Sequence, residues 1–208
     1  MYFSDIKNNK NIYLYAGDCV NNKTNIPFIG LSLGYNNNTN INHNVLDKMD
    51  LFDNSVDIYQ SEDVFEHIEY NKLIDVINEV YRVLKPGGLL RLSMPDYRCD
   101  ILYNRSDKNE NNEIVFDKGG GGNYDYKNKK VINGGHVWFP KYELVKNLLD
   151  NTNFENNKIK YLHYYDINNN SITKNIDYEK GYIQRTPDND KRVQNPYRVM
   201  SIVVDCYK

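Results

Sequence analysis

The chain has few of the residues that would tie it to the secretory pathway, a membrane or a nucleic acid. Its 208 residues include three cysteines, Cys19, Cys99 and Cys206, an odd number spaced too widely for a disulfide framework or a zinc site. Lys+Arg (26) and Asp+Glu (28) nearly balance, and the net charge of −2 offers no basic face to nucleic acid. Neither a run of about 18 apolar residues nor a signal-peptide pattern is present. We therefore expect a reduced, cytoplasmic protein without a membrane span.

The remaining pattern fits one domain over residues 1–208, long enough to bury its own core. Apolar runs at 12–15, 28–33, 56–59, 89–94, 159–165 and 201–206 predict strands. Between them, Leu73, Ile77, Val80 and Leu84 recur at helical spacing, and a second helical stripe follows Pro140. Strands that alternate with helices predict an α/β fold with a mostly parallel sheet between two helical layers. Residues 97–139 are polar and glycine-rich, and we expect them to form an irregular loop or lid.

Three motifs between residues 53 and 96 carry a family resemblance. They are DNSVD at 53–57, SEDVFEHI at 61–68 and YRVLKPGG at 81–88. Together they closely resemble the central motifs of class I, S-adenosylmethionine-dependent methyltransferases. The resemblance implies a Rossmann-like α/β/α fold with a seven-stranded sheet. It also implies S-adenosylmethionine as cofactor, S-adenosylhomocysteine as product, and methyl transfer as the reaction.

The cofactor-binding residues are assigned through this resemblance. The family's acidic-x-Gly-x-Gly loop after strand one corresponds to YAGDC at 15–19, which has a single glycine. The acid that ends the family's second strand is missing from Ser32-Leu33-Gly34, and Asp18 is a candidate replacement. Asp47 matches the family's adenine-contacting acid. The implied cofactor-binding residues are Gly17, Asp18, Leu33, Asp47, Ser61 and Glu62.

A second resemblance concerns the acceptor. GGHVWFP at 134–140 and RTPDNDKR at 185–192 resemble a branch of sugar O-methyltransferases found in the glycan-building enzymes of large DNA viruses. This implies a sugar or glycan hydroxyl as acceptor, a viral origin with the host cytoplasm as location, and a lid formed by residues 97–139 and 183–194. The implied acceptor-binding residues are Trp138, Arg185, Asp188, Asp190 and Arg192.

Methyl transfer to a hydroxyl requires in-line placement and a base for the hydroxyl proton. His136 and Asp63 are the candidate bases, and Asp96 is the candidate orienting residue. The alternatives are a loop histidine bonded to backbone and carboxylates that cap helices or turns. His67 is interpreted as a structural histidine. The spacing of Asp63, Asp96 and His136 does not demand a metal, so no metal ligands are assigned, and a divalent cation remains an open alternative.

Two other functions remain open at this point. The acceptor of the methyl group could be an amine, a lipid headgroup or a protein side chain instead of a sugar. Alternatively, the shortened glycine loop and the missing acid of strand two are typical of a degenerate, non-catalytic domain that serves as a binding module. The sequence leaves a monomer and a homodimer equally open.

Overall fold

A sheet of eight strands forms the centre of the protein. The computed structural model describes residues 1–17, 19 and 23–208. The strands of this part are β1 (Tyr13–Ala16), β2 (Ile29–Ser32), β3 (Asn40–Asn42), β4 (Val56–Glu62), β5 (Leu84–Pro95), β6 (Ser106–Lys108), β7 (Ile114–Asp117), β8 (Asn123–Asp125), β9 (Lys130–Ile132), β10 (Ile159–Tyr165), β11 (Ser171–Thr173) and β12 (Ser201–Tyr207). Its helices are α1 (Phe3–Ile6), α2 (Leu73–Val83), α3 (Asp100–Arg105) and α4 (Tyr142–Asp150). Within the described ranges no helix could cross a bilayer, which takes about 20 residues.

The strand order of the central sheet is β11-β10-β12-β5-β4-β1-β2-β3. β3, β2, β1, β4 and β5 run parallel, whereas β12 lies antiparallel beside β5 and β10 antiparallel beside β12. This confirms the predicted α/β fold with a mostly parallel sheet. The sheet has one strand more than the seven expected, because β11 forms a hairpin with β10 at the edge. The parallel strands all end at one edge, where ligand sites of such folds form.

One face of the sheet packs against the two longest helices of the described chain. The predicted amphipathic helix is α2, and its apolar stripe buries Leu73, Ile77 and Val80. α4 adds Val145 and Leu148 to the same core. Each fully buried aliphatic side chain stabilises the fold by about 1.5–3 kcal/mol relative to exposure. This face therefore supplies most of the hydrophobic stabilisation and fixes β4 and β5, whose ends carry the predicted motifs.

The opposite face of the central strands carries polar side chains. Tyr15, Gln60, Arg91 and Asp205 are direct neighbours across β1, β4, β5 and β12. Residues 176–186, which we term the strap, cover this row where the sequence predicted a helical layer. Apart from one 3-10 turn at Tyr178–Lys180, the strap is irregular. Irregular chain has no internal ladder of hydrogen bonds, so its backbone groups need other partners.

Arg91 provides those partners. Its guanidinium is fully buried and donates two hydrogen bonds to the Asp205 carboxylate, at 2.7 and 2.8 Å. Its Nη1 donates to the strap carbonyls of Asp177 and Gly181, at 2.8 and 2.9 Å. Beside it, the Gln60 amide donates to a third strap carbonyl at 2.6 Å. Gly181 has φ 136°, a conformation that favours glycine, and a Cβ there would also crowd Gln60 Oε1.

The segment 97–139 contains more regular structure than predicted. It begins with α3, and β6 pairs with β7 and β8 with β9 as two antiparallel hairpins. The four glycines at 119–122 join the hairpins, with φ angles of 78° at Gly121 and 69° at Gly122. The expectation of irregular chain was wrong because these strands are only three or four residues long. That is too short to show the apolar alternation that identifies strands in a sequence.

We predict that Arg91→Met lowers the free energy of unfolding by about 3–5 kcal/mol. Removing the guanidinium leaves the Asp205 carboxylate buried without its cation. Urea denaturation measures the loss, and hydrogen exchange should show faster exchange within residues 176–186. Lys146→Met is the control, because it removes an exposed ion pair with Asp150 that is worth at most about 0.5 kcal/mol. Equal losses in the two variants would contradict a structural role for Arg91.

Candidate functional site

A cleft of about 560 Å³ opens at the carboxyl ends of β1, β2 and β4. This volume lies within the range of about 300–1,000 Å³ that is usual for small-molecule sites. The wall combines strand ends, the chain after β3 and the lid, and it includes Gly17, Leu33, Val45, Asp63, His67 and Gly134. The cleft therefore sits where the topology of a parallel sheet places a ligand.

One wall of the cleft is apolar although it faces solvent. Leu33, Tyr35 and Leu46 line it with 71%, 42% and 46% of their surfaces exposed. Large apolar side chains gathered in a concavity indicate a surface that a ligand covers. Gly17 stands at the end of β1 with φ 95°, a conformation that favours glycine, and bridges to Leu31 of β2. The wall fits a flat, partly apolar group such as a nucleoside base.

Asp63 forms the polar end of the cleft. It follows β4 directly and has φ 54°, an uncommon conformation for a residue other than glycine. Its Oδ2 lies 3.0 Å from Arg185 Nε, whereas its Oδ1 is buried and has no hydrogen-bond partner within the described residues. Burial raises the pKa of Asp63, against the pull of Arg185. Asp63 thus presents one unused carboxylate oxygen next to the cleft.

Behind Asp63 lies a group of three residues, Glu66, His67 and His136, which we term the polar cluster. One ligand atom from each lies within 4.8 Å of the others. Glu66 is fully buried, and its Oε1 is 3.7 Å from His136 Nε2. Burial raises the pKa of Glu66 well above its usual range. His67 is exposed toward the cleft, and its ring packs edge-on against that of His136.

Three hydrogen bonds hold the two segments of the polar cluster together. The Val137 amide donates to the carbonyl of Glu66 at 2.9 Å, and the Trp138 indole donates to the carbonyl of Phe65 at 2.9 Å. The third joins His67 Nδ1 to the carbonyl of Gly134 at 2.8 Å. These bonds clamp the loop before α4 onto the short 3-10 turn after β4. The turn and the loop are about 70 residues apart in the sequence, so tertiary structure alone brings them together.

A second set of contacts fixes the ring of His136. Its Nδ1 makes a short hydrogen bond with the Tyr97 hydroxyl, and that hydroxyl is 2.6 Å from Asp117 Oδ2. Arg105 donates two hydrogen bonds to the same Asp117 carboxylate, at 2.6 and 2.7 Å. Burial, followed by the neighbouring His67, lowers the pKa of His136 to about 4. His136 is therefore neutral at physiological pH.

The glycine run of the lid completes this arrangement. A Cβ at Gly120 would lie 2.7 Å from the ring of His136, so the backbone of the lid packs directly on the imidazole. Gly121 and Gly122 then turn the chain through left-handed conformations.

Comparisons with known proteins agree with this geometry. A model of the methyltransferase domain family matches residues 27–92. A S-adenosylmethionine-dependent methyltransferase from Methanosarcina mazei superposes with a TM-score of 0.51 at 13% identity, over 99% of this chain and 96% of that one. One from Archaeoglobus fulgidus gives a TM-score of 0.53 at 11% identity, over 97% and 87%. A search of the curated proteins finds no match.

Residues 27–92 match the methyltransferase domain family, and the whole chain has the fold of S-adenosylmethionine-dependent methyltransferases. The family match spans β2, β3, β4 and most of β5, and of these strands β2 and β4 end at the cleft. The matched segment therefore includes part of the wall of the cleft.

The structure divides the predicted cofactor residues into three groups. Gly17 and Leu33 line the cleft. Ser61 and Glu62 belong to β4 beside it, where Ser61 is buried and Glu62 accepts hydrogen bonds from the amides of residues 184 and 185 of the strap. Asp47 is exposed and does not belong to the lining of the cleft, and Asp18 lies outside the described residues.

The predicted catalytic residues also separate. Asp63 and His136 both lie near Glu66, so the fold brings them to the same region. Asp96 lies elsewhere and is fully buried, because its two oxygens accept the backbone amides of Arg98 and Tyr165 at 3.0 and 2.8 Å. This corresponds to the turn-capping alternative, and it leaves no oxygen of Asp96 free to orient an acceptor.

The predicted acceptor residues occupy different places. Arg185 reaches Asp63, and Arg192 pairs with Asp190 at 2.6 Å while keeping 51% of its side chain exposed. Asp188 accepts hydrogen bonds from two tyrosine hydroxyls. Trp138 belongs to the hydrophobic core, with its ring against Tyr70 and 8% of its surface exposed, so no face of its ring is open to a sugar.

Sequence reasoning missed most of the polar cluster. Glu66 and His67 stand in the quoted motif, and the adjacent acid and histidine were the available signal. Tyr97, Arg105 and Asp117 gave no signal, because a lone tyrosine or arginine in a polar segment has many structural roles. Their relation to His136 arises only when the lid folds back onto the strand ends.

We predict that Glu62→Gln changes the pH dependence of stability. Burial and the neighbouring Asp63 raise the pKa of Glu62 to about 7. Between the unfolded pKa and pH 7 the folded protein binds the extra proton, so Glu62 makes the wild type less stable as pH rises through this window. The glutamine keeps the acceptor oxygen and does not titrate.

The measurement is urea unfolding at pH 5 and pH 8. We expect the stability of Glu62→Gln relative to wild type to increase by about 2 kcal/mol between these pH values. The exposed Glu155→Gln serves as control and should follow the wild type. If all three proteins show the same pH dependence, Glu62 does not titrate as described.

Proposed function

We propose that this methyltransferase transfers the methyl group of S-adenosylmethionine to a hydroxyl group of a sugar or glycan. The observation that carries the proposal is the unused, buried Oδ1 of Asp63, which lies where the cleft meets the charged loop of residues 183–192. A carboxylate in this position could accept the proton of an acceptor hydroxyl. An amine acceptor that reacts in its neutral form has less need of such a base.

The cleft suits the cofactor in two respects. The apolar wall with Leu33, Tyr35 and Leu46 could hold the adenine ring, since it offers exposed apolar surface at nucleoside size. Gly17, in its left-handed conformation, allows the backbone at the end of β1 to approach the methionine part. The acid missing from the end of β2 is not replaced there, because Ser32 and Leu33 occupy that end. Asp63 is the carboxylate that reaches the cleft from β4.

The acceptor side is rich in directional polar groups. Arg185 is held beside Asp63, and Arg192 keeps half of its side chain exposed next to it. Guanidinium groups bind hydroxyl-rich ligands through several donors and bind phosphates in a bidentate manner. The loop therefore supports a sugar acceptor, including one that is attached to a nucleoside diphosphate. It agrees with the resemblance of residues 134–140 and 185–192 to viral sugar O-methyltransferases.

The reaction is a direct displacement. The acceptor oxygen attacks the methyl carbon of the sulfonium, the carbon–sulfur bond breaks, and its electron pair stays on sulfur in S-adenosylhomocysteine. The hydroxyl proton passes to Asp63 Oδ1. His136 is less suited to take it, because its Nε2 faces Glu66 and only 5% of the residue is exposed. Positioning of the two reactants supplies most of the acceleration, and the base adds about 10²–10⁴.

Calorimetry with S-adenosylmethionine and S-adenosylhomocysteine should show one binding site, and a homocysteine-release assay should show turnover with nucleotide sugars or glycosides.

We predict that Asp63→Asn lowers kcat at least 100-fold while the Kd for the cofactor changes less than threefold, because the amide cannot accept the proton. Asp150→Asn, on the surface of α4, is the matched control and should retain wild-type activity.

The outcomes separate the alternatives. Turnover with amines or lipid headgroups alone would refute the sugar proposal while leaving methyl transfer intact. Failure to bind either cofactor form, despite a folded protein, would favour a non-catalytic binding module. An Asp63→Asn variant with wild-type kcat would remove Asp63 from the mechanism.

A further inference from the structure

Glu66 is a buried acid that the rest of the structure does not satisfy. Its side chain has no exposed surface, and neither Oε1 nor Oε2 finds a hydrogen-bond donor among the residues with described positions. An unpaired carboxylate away from water costs several kcal/mol. The neighbouring buried acid Asp117 does have donors, because it binds Arg105 and Tyr97. Glu66 therefore lacks the positive partner that Asp117 has.

The hydrogen bonds around the two histidines determine where their lone pairs point. A carbonyl oxygen only accepts, so the hydrogen between His67 and the carbonyl of Gly134 sits on Nδ1. The single hydrogen of the Tyr97 hydroxyl is used on Asp117, and the hydrogen shared with His136 therefore belongs to His136 Nδ1. When each ring carries only this hydrogen, its Nε2 is left as an acceptor. With Glu66 ionised, its carboxylate and these two nitrogens have no hydrogen to share.

We propose that Glu66, His67 and His136 bind a divalent transition-metal ion through the Glu66 carboxylate and the two Nε2 atoms. The ligand atoms of the three residues already lie within 4.8 Å of one another. Bonds of about 2.0–2.2 Å place neighbouring ligand atoms about 3–4 Å apart, so small side-chain shifts close the site. The ion supplies the positive charge that Glu66 lacks and fills the acceptor sites of both nitrogens.

The surroundings are those of a metal site. Ligating histidines donate their second ring nitrogen to a carbonyl or a carboxylate-linked group, which fixes the tautomer. His67 does so to Gly134, and His136 does so to Tyr97, which is held by Asp117. The nearby arginines are each paired with an acid: Arg105 with Asp117, Arg185 with Asp63 and Arg192 with Asp190. Their positive charges are therefore balanced and do not oppose the binding of a cation.

The ligand chemistry selects the class of ion. Two imidazoles and one carboxylate suit Zn²⁺, Co²⁺, Mn²⁺ or Fe²⁺, whereas Mg²⁺ and Ca²⁺ prefer oxygen ligands alone. Three protein ligands leave coordination positions open, and His67, which lines the cleft, places the site next to it. The role in the reaction rests on the proposed function: an acceptor hydroxyl bound at an open position would lose its proton to Asp63 more readily.

The test is calorimetric titration of tag-free, chelator-treated protein with ZnCl₂, CoCl₂, MnCl₂ and MgCl₂, without cofactor or acceptor. We expect one site per chain with micromolar or tighter affinity for at least one transition metal, and no binding of Mg²⁺ at that affinity. Glu66→Gln should weaken this binding at least 100-fold, because the amide is a poor ligand. Glu69→Gln is the matched control, since Glu69 is three residues away, exposed and paired with Lys72.

A thermal scan guards against a variant that does not fold. Metal-free Glu66→Gln should melt at or above the wild-type temperature, because a neutral amide replaces an unpaired buried carboxylate. Added metal should raise the midpoint of the wild type and of Glu69→Gln, and leave that of Glu66→Gln unchanged. Equal metal affinity of the folded Glu66→Gln variant, or no transition-metal binding by the wild type, would overturn the proposal. Metal binding without turnover would instead refute only the proposed function.

Discussion

The buried guanidinium of Arg91 is the contact on which the polar face of the sheet and its cover depend. It joins β5 to β12 through Asp205 and holds two carbonyls of the strap. A buried sheet needs a cover on both faces, and here one cover over the central strands is chain without regular structure. Such chain remains in place only if side chains of the sheet satisfy its backbone. A fully buried cation that donates four hydrogen bonds meets that need more strongly than neutral donors would.

The same strap leads into the functional site. Beyond the contacts of Arg91 and Gln60, the amides of residues 184 and 185 donate to Glu62 at the end of β4. The next step is the ion pair between Arg185 and Asp63. A continuous set of polar contacts therefore runs from the interior of the sheet to the carboxylate that we propose as the base. The position of Asp63 is set by the polar face of the sheet as much as by the strand that carries it.

The sequence was sufficient for the part of the fold that is local. β4, α2 and β5 follow each other within 40 residues, and their periodicity and turn residues predicted them. The site was predicted less well, because its parts meet across long separations. Asp63 and Asp96 looked equivalent as acids at strand ends. They differ because two backbone amides face Asp96, whereas Asp63 keeps an unused oxygen beside the cleft. The local sequence around a residue does not predict which distant segments of the chain pack against it.

The polar cluster shows the same contrast between satisfied and unsatisfied polar atoms, and this contrast is what points to a functional site. A folded protein is only marginally stable, so an unsatisfied buried carboxylate persists where function uses it. Loop contacts with Gly134, Val137 and Trp138 hold the segment around Glu66, although its carboxylate gains nothing from them. These backbone contacts therefore hold a carboxylate and two imidazoles close together although no hydrogen bond joins the carboxylate to either ring. This separation between a well-bonded backbone and unsatisfied side-chain atoms is expected of a preorganised site, and it is the basis on which we propose a bound cation there.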